Sequence, residues 1–257
     1  MRVTILASGS KGNCVYLEGK NGAVLIDAGL SAREILARLA AIGGKPDLIR
    51  ALLVTHEHGD HIRGVSALAR KLKVPVLGTR GTLSEIHCTS SFRAPLELIS
   101  CRYGEELSVD DFDILPFATS HDALEPCGFV VKEDGGTLGC CTDTGFISPT
   151  LIEQFRRCDM MILESNHCPR MLQDGPYPAV LKKRIRSKRG HLSNVAAGEC
   201  LRSIARDVPC IQLAHLSEIN NTPEKALTSA RGAFGLFAEG VDLSLGLQHR
   251  VSPTKYL

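Results

Sequence analysis

Apolar residues fall in short runs along the first third of the chain. Val3–Leu6, Cys14–Leu17 and Ala23–Ile26 read as strands separated by glycine-rich turns. The spacing of Ile35, Leu36, Leu39 and Ile42 predicts a helix over Ala32–Ile42, stopped by Gly43-Gly44. Ile49–Val54 reads as a strand, about Ile62 to Leu72 as a helix, and Val74–Leu77 as a strand. Further strands are predicted at Phe112–Phe117, Gly128–Val131, Thr137–Cys141, Met160–Leu163 and Cys210–Leu213. Helices are predicted at Val180–Arg186, Val195–Ile204 and Pro223–Phe237. The pattern shows no repeat, low-complexity tract or linker. It predicts a single domain over residues 1–257 with two β-rich layers and helices outside.

Composition changes this picture little. A chain of 257 residues, 44% hydrophobic and 23% charged, can bury a substantial core. The net charge of +2 excludes nothing, so any case for nucleic acid must rest on local patches. No signal peptide is evident, and no apolar run approaches the roughly 20 residues that cross a bilayer. The expectation is a cytoplasmic protein with no membrane partner. Ten cysteines without a Cys-x-x-Cys pair predict reduced thiols packed as small hydrophobes, with Cys127, Cys140, Cys141 and Cys168 in the core or lining a site.

Candidate chemistry concentrates in Thr55-His56-Glu57-His58-Gly59-Asp60-His61, directly after an apolar strand. Imidazole and carboxylate are the ligands that two closely spaced divalent ions require. His56 and His58, two apart on an extended loop, can point the same way. Asp60 and His61, at a helix start, can face a second ion, with Gly59 allowing the tight turn between the sets.

A second feature is the run Lys182-Lys183-Arg184-Ile185-Arg186-Ser187-Lys188-Arg189, in which six of eight residues are basic. It is either a solvated helix face or a phosphate-steering patch leading into His191. A third is Ala7-Ser8-Gly9-Ser10-Lys11-Gly12-Asn13. It is either a plain β-turn or a loop in which Ser8, Ser10, Lys11 and Asn13 offer donors to a phosphate.

The pattern His-x-His-x-Asp-His after an apolar strand resembles the signature of the metallo-β-lactamase superfamily. The resemblance implies an α+β fold, the αβ/βα sandwich of two β-sheets with helices on the outer faces. It also implies a ligand set, in which His56, His58 and His121 hold one ion and Asp60, His61 and His215 hold another. Asp143 bridges the two, and Asp27 orients the histidine loop from behind. Asp122 competes with His121 for its place. Ions about 3.5–4 Å apart share a hydroxide and bring its pKa towards neutrality. Zinc or manganese fits these ligands, and iron is tolerated. Asp60 belongs to the catalytic set as well as to the ligands.

Glu164 and His191 are similar to a pair that tRNase Z enzymes place beside their metals. The histidine protonates the leaving oxygen and the carboxylate orients it. His167 either lines the site or packs. Leu6-Ala7-Ser8-Gly9-Ser10, Ser120-His121-Asp122, Glu164-Ser165-Asn166-His167, Gly175-Pro176-Tyr177-Pro178 and Leu213 to Asn221 resemble a narrower group, the bacterial YycJ/WalJ-type nucleases. That resemblance implies a metal-dependent phosphodiesterase acting on DNA, an exonuclease working from a 5′ end, with repair as its setting. Two departures narrow the field. The stretch from Asp143 to Gly190 is too short for the extra domain of β-CASP nucleases, and no glycine- and proline-rich arm like that of tRNase Z is visible. The alternatives are a small-molecule hydrolase of the same fold, acting on a cyclic phosphodiester, thioester or lactone, and a metal-stabilised nucleic-acid binder without activity.

Overall fold

The structure is a computed structural model and describes residues 1–90, 95–204, 207–235 and 240–257. In chain order the first half forms β1 (Arg2–Ala7), β2 (Cys14–Glu18), β3 (Ala23–Ile26), α1 (Ala32–Ala41), β4 (Ile49–Leu53), α2 (Gly59–Ile62), α3 (Val65–Leu72), β5 (Val76–Thr79), α4 (Arg80–Ser90), β6 (Leu98–Cys101), β7 (Leu107–Val109), β8 (Phe112–Ala118) and β9 (Cys127–Glu133). The second half forms β10 (Gly136–Cys141), α5 (Pro149–Phe155), β11 (Met160–Glu164), α6 (Pro169–Asp174), α7 (Ala179–Ile185), α8 (Asn194–Ile204), β12 (Cys210–Ala214), α9 (Pro223–Phe234), β13 (Asp242–Leu245) and β14 (Lys255–Tyr256). The chain separates into two compact units. One comprises Met1–Ala118, Ala123–Gly136 and Leu247–Leu257; the other comprises Thr119–Asp122 and Thr137–Gly246.

The first unit contains a mixed sheet in the order β14-β1-β2-β3-β4-β5-β6. Its β1, β2 and β3 are antiparallel, while β3 to β6 run parallel. The register pairs Ile26 with Leu53, so the residues following β3 and β4 emerge side by side. Ile35 and Leu39 of α1 and Leu68 of α3 are fully buried in one cluster with Leu25 and Leu52 of the sheet. This is the burial that the helical spacing predicts. An antiparallel meander, β7-β8-β9, completes the unit.

The predicted helix from Ile62 to Leu72 is two helices. It breaks at Gly64, whose amide donates to Ala28 O at 2.7 Å and whose absent Cβ would stand 2.3 Å from Leu30 O. The strand predicted at Val74–Leu77 begins two residues later, after Pro75. Helix α4 has no counterpart among the predicted elements. Among the residues of that segment whose burial is described, Leu83 and Ile86 are the large apolar ones it buries, too few to reveal a period.

The second unit is built on four parallel strands, β10 to β13. Cys141 pairs with Leu163, and Glu164 with Ala214. Their carboxyl ends therefore lie level, where parallel sheets place ligands. Helices α8 and α9 pack together, with Gly198 allowing the approach of Ala233. Of the helix predicted at Pro223–Phe237, α9 covers Pro223–Phe234, and residues 236–237 lie outside the described residues.

Cys127, Cys140 and Cys141 are buried, and Cys168 is half-buried. Burial pushes the Cys141 thiol well above its ordinary value and that of Cys200 up to about 12. Among the described residues, no helix is long and apolar enough to cross a membrane.

Candidate metal centre

In the first unit, the site residues follow two neighbouring parallel strands. Asp27 comes directly after β3, and Thr55 to His61 follow β4. The Asp27 carboxylate accepts the Thr55 amide at 2.9 Å and the Thr55 hydroxyl at 2.9 and 3.1 Å. Its second oxygen lies 2.8 Å from His61 Nδ1. With Nδ1–H given to Asp27, the ring of His61 presents Nε2 as the basic nitrogen. Thr55 Oγ1 lies 3.0 Å from His56 Nδ1, which turns His56 Nε2 towards His58 Nδ1 at 3.1 Å. His56 and His61 are fully buried, whereas Asp60 and His58 are half-buried.

The Gly/Ser loop lies against this cluster. Asn13 Oδ1 accepts the Gly9 amide at 2.8 Å; its Nδ2 reaches His61 Nε2 at 3.1 Å and Asp60 O at 3.4 Å. The backbone amide of Asn13 adds a 2.8 Å bond to Asp60 O. Asn13 and Ser8 are buried, while Ser10 and Lys11 are exposed. The bonds of Asn13 tie the loop to the histidine segment.

In the second unit, Asp143 follows β10, Glu164 ends β11 and His215 follows β12. Asp143 (φ 54°) and His215 (φ 53°) sit in the left-handed region, as Asp27 (φ 61°) does in the first unit. Each such residue costs on the order of 1–3 kcal/mol and persists only where its surroundings hold it, and residues of this kind cluster at functional sites. The donor atoms of Asp143, Glu164, His191 and His215 lie within 4.8 Å of one another. That mixture of imidazole and carboxylate is the set that borderline divalent ions favour.

Glu164 organises this cluster. It is completely buried, and its Oε1 accepts from His191 Nδ1 at 2.8 Å and His215 Nδ1 at 3.0 Å. Its Oε2 accepts the amides of Thr144 at 2.9 Å and Leu192 at 3.0 Å. These bonds occupy the lone-pair capacity of a carboxylate. Glu164 is thus suited to orient its two histidines rather than to ligate an ion. Burial alone would raise its pKa; the charge of His191 and the bonds from both imidazoles outweigh it and hold the carboxyl at about 2. Burial would likewise lower the pKa of His191, but the neighbouring Glu164 carboxylate, then Asp143, raise it above the ordinary value.

His121, brought into this unit by the segment Thr119–Asp122, is buried and gives Nδ1–H to Gly190 O at 2.9 Å. Its Nε2 lies 3.3 Å from Asp122 Oδ1 and 3.9 Å from Asp143 Oδ1. Asp122 also pairs with Arg184 of α7. Burial lowers the pKa of His121 against the opposing pull of Asp143. His167 is buried at 3% exposure, and burial brings its pKa down to about 4. Lys182 Nζ donates to Gln173 O, and Lys183 and Arg184 are exposed.

An asparagine network that the sequence does not reveal lies beneath these loops. Asn194 and Asn221 exchange amide bonds at 2.8 Å in both directions. Asn221 Nδ2 also reaches the carbonyls of Ser165 and Asn166, while Ser165 Oγ donates to Asn194 Oδ1 at 2.8 Å. Asn166 Nδ2 bonds His215 O at 3.0 Å. The loops carrying Glu164, His191 and His215 are therefore joined from below. The motif letters Ser165, Asn166 and Asn221 were the available signal, but nothing local showed that they meet.

Residues 23–210 match the Beta-lactamase superfamily domain. The exodeoxyribonuclease WalJ of Streptococcus pneumoniae is 37% identical over 229 residues, spanning 88% of this chain and 85% of that protein. The exodeoxyribonuclease YycJ of Bacillus anthracis is 34% identical over 231 residues, spanning 89% and 87%. Among solved structures, the metallo-β-lactamase fold protein YhfI of Bacillus subtilis superposes with a TM-score of 0.74 at 17% identity, covering 98% of this chain and 99% of that one. The short form of human tRNase Z gives 0.67 at 17% identity with the same coverage. These structures share the fold, an α+β sandwich of two mixed sheets with helices. On the family match and the two close relatives, the chain belongs to the β-lactamase superfamily, in its metallo-β-lactamase-fold branch with WalJ and YycJ.

Proposed function

We propose that the protein is a metal-dependent phosphodiesterase that shortens DNA as an exonuclease from a 5′ end, in the cytoplasm and in the service of repair. The observation that carries this reading is the pair Glu164–His191. A buried carboxylate fixes Nδ1 of an imidazole that keeps 21% of its side-chain surface exposed and whose pKa is raised. That is the arrangement of a general acid near neutral pH. The relatives named exodeoxyribonucleases supply the substrate class.

In this reading His56, His58 and His121 would hold one divalent ion, and Asp60, His61 and His215 a second, with Asp143 shared and Asp27 fixing His61. Zinc or manganese suits the set. When bound, such ions act as Lewis acids on phosphoryl oxygens and make water a competent nucleophile near neutral pH. The chain supplies the rest. Glu164 keeps His191 oriented and protonated, and His191 Nε2 hands its proton to the departing oxygen. Lys182 and Lys183, with Arg184 alongside its partner Asp122, steer phosphates, while Ser10 and Lys11 offer exposed donors from the Gly/Ser loop.

Protonation matters most when the leaving alkoxide is poor. His191→Ala is expected to slow DNA cleavage by about 10²–10⁴-fold. It should affect bis(p-nitrophenyl) phosphate far less, because p-nitrophenolate departs without a proton, and metal content should stay intact. Glu164→Gln should follow the same pattern more mildly. Equal slowing of both substrates, or loss of metal, would make His191 a ligand or a packing residue.

A further inference from the structure

Phe146 is out of place for its type. Among the described residues, Phe112, Phe117, Phe129, Phe155 and Phe234 are all buried, whereas Phe146 is 44% exposed. One exposed apolar side chain is ordinary on a protein surface, and it is the surroundings of Phe146 that single it out. The position is fixed from two sides. Thr144 Oγ1 donates to Phe146 O at 2.8 Å, and the Thr144 amide donates to Glu164 Oε2 at 2.9 Å. Through Glu164, the Phe146 loop is tied to His191. On the other side, Gly145 presses against the backbone of Ser187 and Lys188, where a Cβ would meet Ser187 O at 2.4 Å. The Gly145 amide is bound to Ser120 O at 2.8 Å. Lys188 reaches over the ring, with Nζ 5.8 Å from its centroid. The ring thus has over it a cation of the basic run that ends two residues before His191.

The geometry points to Phe146 as a stacking platform for the 5′-terminal nucleobase of a single strand, with Lys188 beside it for the adjoining phosphate. This inference rests on the nuclease reading and assigns it a binding residue. Every base offers a π-face, so an aromatic platform flanked by cations is the chemistry that holds single-stranded nucleic acid without reading its sequence. An apolar small-molecule pocket would enclose the ring, whereas Phe146 is half-exposed with a lysine reaching over it.

The test compares two single-stranded oligonucleotides that differ only in whether the 5′-terminal nucleotide carries a base or is abasic. Both have phosphorothioate end linkages and a 3′ fluorophore. Binding to the metal-loaded protein is read by anisotropy. The wild type is expected to bind the intact end about 5- to 150-fold more tightly than the abasic end. Phe146→Ala and Phe146→Leu should abolish that difference, and Phe146→Tyr should keep most of it. A preference that survives in Phe146→Ala and Phe146→Leu, or one absent from the wild type, would overturn the platform. Cleavage of unmodified DNA, followed in parallel, separates the two ideas. Base-dependent binding without cleavage would refute the nuclease reading and leave the platform standing, whereas a wild type that binds neither oligonucleotide would refute both.

Discussion

At the scale of single residues, neighbouring histidines in one unit are driven in opposite directions by their surroundings. His191 has a carboxylate at 2.8 Å and is raised; His167 is buried without such a bond and falls to about 4. The consequence for His167 concerns stability. Its folded pKa lies below the ordinary 6.5, so between these values the unfolded chain binds a proton that the native chain refuses. The neutral form's contribution is complete above about pH 6.5 and is lost as pH falls through 4. Urea titrations of metal-free protein at a series of pH values should therefore show a decline over this window that is shallower in His167→Phe. Identical pH profiles would mean that His167 does not titrate there. Sequence alone left His167 between lining and packing because burial cannot be read from a lone histidine in a loop.

At the scale of elements, the candidate site residues that could be read from the chain are those at strand ends. The apolar run Ile49–Val54 announces a strand, and the polar burst of His56, His58, Asp60 and His61 marks where it stops. The same contrast flags Asp27, Asp143, Glu164 and His215. What holds these loops was not legible, because its members are ordinary polar residues that meet only in three dimensions. Thr55 reaches Asp27 on the neighbouring strand, and Asn221 reaches Ser165, Asn166 and Asn194 on other loops. Asn221→Ala would strip partners from Asn194 and from two carbonyls. Each unsatisfied buried group costs about 1–3 kcal/mol. The expected result is a fall of at least that size in unfolding free energy, together with a lower kcat on DNA at little-changed KM, since the network sits under His191 and His215. A variant within about 0.5 kcal/mol of wild type, the usual range for surface substitutions, would show that the network is dispensable.

At the scale of the whole molecule, the pattern of strands and helices discloses β-rich layers with helices outside, and the family resemblance adds the α+β class, but neither shows how distant segments are shared out. Thr119–Asp122, with His121, belongs to the unit otherwise formed by residues 137–246, and Leu247–Leu257 belongs to the other unit. Strand β14 joins β1 through the pairing of Tyr256 with Arg2, a contact between the chain's two ends that no local pattern encodes. The functional claim can be tested at the same scale. Purified protein loaded with manganese or zinc is offered single- and double-stranded DNA and RNA, each labelled at the 5′ or the 3′ end, beside bis(p-nitrophenyl) phosphate. The expected result is progressive loss of DNA from the 5′ end, abolished by a chelator and restored by the metal. Turnover of the small diester with every DNA end left intact would contradict it.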